Sequence, residues 1–354
     1  MAAFRATARR SFCAAARHAP IIAVHGGAWA IPDAVLTESL DGVAAAAEAG
    51  SARLELGHSA LDAVEAAVNS LEKCPYFNAG RGGSLNAAGQ VELDAVIVDG
   101  STLAAGAVAG IGPVLHPVSV ARKLMEETEH VLLVGAGATA FAREMGVPIL
   151  DESDLVTPEA RDEWRRMAAY GEAVSTFYNT RTPSHGHDTV GAVALDSRGC
   201  LAAATSTGGI TFKRPGRVGD SPLLGAGALA DNERGAISTT GHGESILRYT
   251  LASRVLERMR RGTGPPGESS PLGPHTTTPL DAVAGALEAM YARLDGGSGG
   301  AICISPTGEL GIAFTSARMA WAVKGGVGRA ESSVVCGIER ETATVAGQAV
   351  RVVL

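Results

Sequence analysis

Aromatic residues are scarce in this chain of 354 residues, since Phe, Trp and Tyr together make up only 4% of it. Apolar residues nevertheless reach 46%, and 45 residues are glycine. A core of this composition is built largely from alanine and valine, which favours closely packed strands and helices joined by many tight turns. The length allows one large domain or two.

Long apolar runs are also missing. No stretch approaches the roughly 18 continuous apolar residues that a membrane-spanning helix needs, so we expect no membrane partner. The formal net charge of −7 argues weakly against nucleic acid as a partner.

Cysteine is sparse, and the five cysteines form no CxxC pair and no regular spacing. This pattern is typical of reduced thiols in an intracellular protein and predicts a cytoplasmic location. Residues 1–18 contain Arg5, Arg9, Arg10 and Arg17 and no acidic residue, which resembles a mitochondrial transit peptide in composition. A basic extension without a targeting role is the alternative.

Strand and helix patterns are mixed along the whole chain. A strand is predicted at Pro20–Val24, followed by a turn at 25–29 in which His25 is structural. Ser59 and Asp62 have the spacing of a capping box at the start of a helix. One further helix is predicted at Glu244–Arg260. Strands at the start of each half, with helices on both outer faces, indicate an α+β fold with four αββα layers.

Two segments lack a sustained apolar period. Residues 151–188 are rich in charge and proline and are predicted to form a mobile linker with one candidate helix around Pro158–Ala173. Residues 262–277 are predicted to be a surface insertion. The GAGATA segment at 135–140 fits the GxGxxA dinucleotide fingerprint formally. Its required acidic residue is not placed at the end of a second strand, so close packing of helix and strand is the preferred interpretation.

The most informative segment is GHDTVGAVALD at 186–196, a buried strand that begins at Thr189. The turn at 196–199 and a second apolar run at Leu201–Thr207 complete a hairpin pattern, which places Thr207 near Thr189. If the Asp188–Thr189 bond breaks, Thr189 carries a hydroxyl nucleophile and, with a pKa of about 7.7–8.0, an α-amine base on one residue. An ordinary strand threonine is the alternative for Thr207.

A loop constrained by glycine and proline has Arg217 three residues before Asp220. This spacing suits the binding of the carboxylate and ammonium groups of an amino acid, although a surface ion pair is the alternative. Thr240 precedes a predicted helix and is a candidate for an oxyanion hole, with helix capping as the alternative. His242 is a weaker candidate for a general base, because the α-amine of Thr189 already fills that role.

These segments resemble the plant-type L-asparaginase/isoaspartyl peptidase family of N-terminal nucleophile hydrolases. The resemblance runs from about Pro20 to the C-terminal strands. Its motifs are HGGAW at 25–29, FNAG at 77–80, DTVGAVALD at 188–196, STGG at 206–209, GRVGDSP at 216–222, GAGALADNERGA at 225–236 and TTGHGES at 239–245.

The resemblance implies an αββα sandwich that cleaves itself after Asp188, and a dimer of cleaved units, (αβ)₂. The α chain would contain residues 19–188 after the N-terminal extension, the β chain would contain 189–354, and both would form one domain. The implied activity is hydrolysis of L-asparagine and of β-aspartyl dipeptides, two small-molecule substrates. The implied site residues are Thr189 as nucleophile, Thr207 as supporting threonine, Arg217 and Asp220 as substrate clamp, and Thr240 and Gly241 on the oxyanion side. Asn78 matches the family's asparagine near the active site, and its amide is expected to help form the oxyanion hole.

No cofactor is implied for the chemistry. The resemblance does imply a structural sodium ion bound by backbone carbonyls, a donor type that suits a hard cation. The matching carbonyls are those of Leu71, Glu72, Cys74, Phe77, Ala79 and Arg81.

One departure from the pattern leaves the subfamily open. Asp188 stands before the scissile bond, where many asparaginases of this type have glycine, and aspartylglucosaminidases and taspases share that aspartate. An aspartylglucosaminidase-like or taspase-like hydrolase is therefore the alternative within the enzyme class. An unprocessed, non-catalytic homologue that acts as a binding protein is the alternative outside it.

Overall fold

The computed structural model describes residues 18–170, 189–259, 277–326 and 334–339, and the backbone alone at 343–345 and 348–350. Most of the predicted extension (1–17), the end of the predicted linker (171–188, with Asp188) and nearly all of the predicted insertion (262–276) lie outside the described residues. None of the described helices is both long and apolar enough to cross a bilayer.

Eight strands form the larger sheet, in the order β12-β11-β1-β5-β6-β2-β3-β4. Neighbouring strands are antiparallel except β3 and β4, which are parallel. In chain order these strands are β1 (Ile21–Trp29), β2 (Leu93–Asp99), β3 (Ala105–Ile111), β4 (Leu132–Val134), β5 (Val190–Leu195), β6 (Leu201–Thr207), β11 (Arg318–Gly325) and β12 (Val335–Gly337).

The smaller sheet has four antiparallel strands in the order β10-β9-β8-β7. These are β7 (Ala228–Asp231), β8 (Gly235–Gly241), β9 (Gly299–Ile304) and β10 (Leu310–Phe314). The two short strands β13 (Ala343–Val345) and β14 (Gln348–Val350) pair only with each other.

Nine helices occur in the described residues. They are α1 (Leu36–Glu55), α2 (Ala60–Lys73), α3 (Pro117–Glu127), α4 (Gly135–Glu144), α5 (Glu152–Leu155), α6 (Pro158–Tyr170), α7 (Gly243–Tyr249), α8 (Leu251–Met259) and α9 (Pro279–Arg293). Helix α2 begins with the predicted capping box, in which Ser59 and Asp62 each accept a hydrogen bond from the other's backbone amide.

The layers are held by three apolar clusters. Helices α1 to α4 cover one face of the larger sheet, and α8 and α9 cover the outer face of the smaller one. Between the sheets lies a third cluster that includes Val193, Ile302, Phe314 and Trp321. Because an amphipathic helix and a two-faced sheet must each bury an apolar surface, this stacking satisfies all four layers. The predicted αββα sandwich is confirmed.

Strands β5 and β6 form a hairpin, the central hairpin (residues 190–207), as predicted from the sequence. Asp196 closes its turn by accepting hydrogen bonds from the backbone amides of Arg198 and Cys200. The hairpin lies between β1 and β2 in the larger sheet. The larger sheet therefore contains strands from both sides of residue 189, and two strands that follow this residue lie between two that precede it.

Three expectations were wrong, and two strands were missed. The predicted turn at 25–29 is strand, because β1 continues to Trp29 through a bulge between His25 and Ala28. The predicted helix at Glu244–Arg260 is two helices, α7 and α8, separated at Thr250, whose φ is 52°. Strands β7 and β8 were not predicted. Cys200 is disulfide-bonded, which contradicts the expectation of reduced thiols at that position.

Candidate active site

Thr189 directly precedes β5 and is only 5% exposed. At the open end of the central hairpin Val190 pairs with Ser206. The next residue on each strand is Thr189 and Thr207, so these two threonines lie opposite each other. The hairpin thereby brings together the two threonines that the sequence paired. Asp188 lies outside the described residues, so the predicted cleavage site is described on its Thr189 side only.

Two hydroxyl groups contact Thr189. Its Oγ1 lies 2.7 Å from Ser221 Oγ, and either oxygen can be the donor. Thr205 Oγ1 donates to the Ser221 carbonyl at 2.6 Å, which fixes the position of that serine. From the smaller sheet, Thr240 Oγ1 donates to the Thr189 carbonyl at 3.0 Å. The hydroxyl of Thr189 is therefore buried but has a partner with which it can share its proton.

Thr207 and Asn78 fix the loop that follows the central hairpin. Thr207 Oγ1 accepts a hydrogen bond from Gly209 N at 2.9 Å. Asn78 Nδ2 donates to Gly209 O at 2.5 Å, and Asn78 Oδ1 accepts from Ser84 N at 2.8 Å. The Asn78 amide thus joins two loops beside the threonines, and the oxyanion role expected for it remains a prediction.

The side chains of the predicted clamp residues, Arg217 and Asp220, both approach Gly243. A Cβ atom on Gly243 would stand 2.9 Å from Arg217 Nη2 and 3.1 Å from Asp220 Oδ1, so glycine leaves room where both charges meet. Arg217 also donates from Nε and Nη2 to the Glu244 carboxylate, at 2.9 and 2.8 Å. Among the described residues the ion pair of Arg217 is therefore with Glu244, whereas the alternative was a surface ion pair between Arg217 and Asp220.

Asp220 is fully buried, and its environment makes it titrate near neutral pH. Burial raises the pKa of Asp220 to about 7, although the positive charge of Arg217 and a hydrogen bond from Thr239 partly offset that increase. Thr239 Oγ1 lies 3.3 Å from Asp220 Oδ2. A carboxylate of this kind becomes fully charged only when pH rises above 7 or when a cation binds beside it.

Thr240 and Gly241 end strand β8, just before helix α7, so the expected position ahead of a helix is confirmed. Gly241 has a φ of 130° and approaches Gly299 closely, since a Cβ atom on Gly241 would be 2.4 Å from Gly299 Cα. The cap of α7 is His242, so the alternative of Thr240 as a helix cap is wrong. His242 Nδ1 lies 2.6 Å from Ser245 Oγ, which engages its ring locally.

The loop at 71–81 presents carbonyl oxygens inward around two glycines. A Cβ atom on Gly80, whose φ is 49°, would be 2.6 Å from Glu72 O, and one on Gly82 would be 2.8 Å from Phe77 O. Glu72 O thus lies near Leu115 O at Gly80, and Phe77 O lies near Pro75 O at Gly82. Glu72 O also accepts a hydrogen bond from Arg81 N, and Phe77 O accepts one from Ala79 N. Carbonyl oxygens suit a hard cation, and the predicted sodium ion would be structural.

The comparisons with known proteins agree with this geometry. A family model described as asparaginase matches residues 18–334. The chain belongs to the asparaginase family. Members of this family are hydrolases, and so is this chain.

Three relatives of this asparaginase-family chain carry the name isoaspartyl peptidase/L-asparaginase. The Mus musculus protein is 44% identical over 86% of this chain and 88% of its own length. The Danio rerio protein is 43% identical over 86% and 91%, respectively. The Homo sapiens protein is 43% identical over 86% and 92%.

Sequence reasoning missed three residues of this asparaginase site. Ser221 and Glu244 lie inside the quoted motifs, but spacing alone gave no signal that they contact Thr189 and Arg217. His25 was assigned to a turn, yet it lies on β1 with its Nε2 2.7 Å from Ser238 Oγ of the smaller sheet. Burial lowers the pKa of His25 to about 3, so its ring is neutral at neutral pH.

Proposed function

We propose that this chain hydrolyses L-asparagine to L-aspartate and ammonia, and β-aspartyl dipeptides to aspartate and an amino acid. Its relatives are named for these two activities. One observation carries the proposal for this chain: the buried Thr189 hydroxyl stands opposite Thr207 and contacts Ser221, which directly follows the acidic Asp220 that lies with Arg217 at Gly243. A free amino acid has both of the charges that such a pair binds.

The first stage is self-cleavage. Thr189 Oγ1 attacks the carbonyl carbon of Asp188, and the acyl group moves from nitrogen to oxygen to form an ester. Water then hydrolyses the ester, which leaves a carboxylate on Asp188 and a free α-amine on Thr189. Ser221 Oγ is placed to relay the hydroxyl proton, which ends on the Thr189 nitrogen as the bond from that nitrogen to the Asp188 carbonyl carbon breaks.

The second stage is hydrolysis of the substrate. Thr189 Oγ1 attacks the side-chain amide carbon, its α-amine accepts the hydroxyl proton, and that proton passes to the departing ammonia or amino acid. Water then cleaves the acyl-enzyme to release aspartate. Arg217 binds the α-carboxylate and ionised Asp220 binds the α-ammonium, which fixes the amide before Thr189. Thr240 and Gly241 stabilise the oxyanion, a role for which Thr240 must turn its hydroxyl away from the Thr189 carbonyl.

Intact mass of the purified protein tests the proposal, with Thr189→Ala beside the parent. Two fragments that meet at 188/189 in the parent and one chain in the variant are the expected results, together with release of ammonia from asparagine by the parent alone. A parent that stays whole yet hydrolyses β-aspartyl dipeptides at full rate contradicts the mechanism. An uncleaved, inactive parent that captures a protein partner supports the non-catalytic alternative.

We further propose a dimer of cleaved units, (αβ)₂, with sodium in the 71–81 loop and a cytoplasmic location. The resemblance to the family supports the dimer, and the carbonyl pairs at Gly80 and Gly82 support the ion. The few, irregularly spaced cysteines support the location. Light scattering, metal analysis after dialysis, and the N-terminal sequence of the protein isolated from fractionated cells test these three points, with loss of residues 1–18 indicating mitochondrial import.

A further inference from the structure

Lys213 carries a buried charge beside the clamp. The residue is only 1% exposed, and burial of a charged ammonium is costly unless it is paired. Among the described residues its Nζ makes one hydrogen bond, to Glu92 O at 2.8 Å. An ammonium group has three N–H donors, so this bond leaves donors for another acceptor.

The position of this ammonium is defined by Gly209, in the loop after the central hairpin. A Cβ atom on Gly209 would be 2.9 Å from Lys213 Nζ and 3.4 Å from Arg217 Nη1. Two cationic groups therefore adjoin one point, and the charge of Arg217 lowers the pKa of Lys213 beyond the larger effect of burial. Gly209 N donates to Thr207 Oγ1, so this point is one hydrogen bond away from the threonine pair.

Three carboxylates accompany these two cations. Glu244 binds Nε and Nη2 of Arg217 and leaves Nη1, the atom nearest Gly209, without that carboxylate. The carboxylates of Asp94 and Glu92 raise the pKa of Lys213 and so offset part of the effect of burial. Asp94 also accepts a hydrogen bond from Gly110 N, and Glu92 accepts one from Gly216 N. Since like charges repel, Lys213 beside Arg217 favours an anion bound between them.

We propose that Lys213 and Arg217 together bind the α-carboxylate of the substrate. Because Glu244 neutralises the charge of Arg217, Lys213 supplies the positive charge that attracts the carboxylate. The inference rests on the proposed asparaginase function and adds a residue that determines specificity. Substrates without an α-carboxylate should be rejected chiefly through Lys213, because its ammonium then keeps unused donors in a buried site.

The test uses Lys213→Met, which keeps most of the side-chain length without the charge, and Lys213→Gln, which keeps a donor for Glu92 O. Both variants should raise KM for L-asparagine about tenfold or more while kcat changes less than about threefold, as loss of a charged contact made equally in ground and transition state predicts. The preference for asparagine over 3-aminopropanamide, which lacks the α-carboxylate, should fall by the same factor. Lys123→Met is the matched control, because it makes the same substitution at a lysine on helix α3.

A purely structural role predicts a different result. Lys213→Met would then melt at a lower temperature and keep the parental KM and the parental preference, and this result would overturn the proposal. Intact mass shows whether each variant still cleaves itself and so has folded. If Lys213→Met does not fold, Lys213→Gln decides by the same KM and preference.

The proposed function can fail separately. A parent that cleaves itself but releases no ammonia from asparagine would refute that function. Calorimetric titration of the parent and of Lys213→Gln with L-aspartate then measures the carboxylate site directly. Equal affinities would refute the role of Lys213, whereas affinity at least about tenfold weaker in the variant would retain it.

Discussion

The central hairpin and the clamp lie side by side but are held in place by different forces. Backbone register across β5 and β6 fixes Thr189 against Thr207, and Asp196 closes the turn. The clamp depends on side-chain charges from separate segments, as Arg217 does on Glu244. Reaction chemistry thus rests on a rigid part of the sheet, while substrate selection rests on a loop. Changes in the hairpin should therefore reduce self-cleavage and kcat, and changes in the clamp should raise KM alone.

The largest effect is expected from Thr207→Val, which removes a hydroxyl and nearly keeps the side-chain shape. Gly209 N loses its acceptor, and the loop beside Thr189 loses its anchor. Self-cleavage and kcat should both fall by about 100- to 1000-fold, the range found for loss of one preorganised polar group in an active site. Time courses of intact mass and of ammonia release measure the two rates.

Thr207→Ser is the matched control, because it retains the hydroxyl. It should stay within about threefold of the parent in both rates, since the hydrogen bond to Gly209 N is preserved. If Thr207→Val keeps the parental kcat, the claim that the hairpin controls kcat and the clamp controls KM is wrong.

The next effect is expected from Arg217→Met, in the clamp. Loss of a charge-assisted contact to the α-carboxylate should lower kcat/KM about 100-fold, nearly all of it through KM. Self-cleavage should proceed at the parental rate, because Arg217 does not contact Thr189 in that step. Steady-state kinetics and intact mass test the two halves of this prediction, and an uncleaved variant would contradict it.

Ser221 joins the two regions, since it follows Asp220 directly and contacts Thr189. Ser221→Ala should slow both self-cleavage and kcat about tenfold, the value of one hydrogen bond at roughly 1.4 kcal/mol. The same factor is expected for asparagine and for a β-aspartyl dipeptide, because the serine contacts the nucleophile and not the leaving group. A change confined to KM would assign Ser221 to the clamp.

The smallest effect is a pH dependence of the clamp. Because burial raises the pKa of Asp220 to about 7, ionised Asp220 becomes more abundant as pH rises through 7, and binding of the substrate ammonium should tighten. KM should fall about fourfold between pH 6.5 and pH 8, as titration of one group predicts. In Asp220→Asn the KM should be higher and this dependence absent. An unchanged slope in that variant would assign the titration to another group.

The features that depend on local sequence were predictable. A turn with Asp and Gly between two apolar runs specifies a hairpin and its register, and the Ser59/Asp62 spacing specifies a helix start. The strand at His25 was mistaken for a turn because its glycines serve close packing: a Cβ atom on Gly26 would be 2.4 Å from a Phe77 ring carbon.

The clamp was predictable only in part. Arg217 and Asp220 are three residues apart, and their residue types suggested a ligand with two charges. The pairing of Arg217 with Glu244 spans 27 residues and depends on how β8, a strand that was not predicted, leads into α7. Ser221 and Lys213 likewise gain their roles from burial, which residue spacing does not reveal.

The place of the central hairpin in the larger sheet has a consequence for refolding. Its two strands lie between β1 and β2, so cleavage before Thr189 turns one chain into two that share a single hydrogen-bonded sheet. The uncut chain folds in a reaction of one molecule. After denaturation the cut protein must bring two chains together, and its recovery then depends on concentration. Cleavage therefore makes the molecule active and, in the same step, makes its folding much harder to repeat.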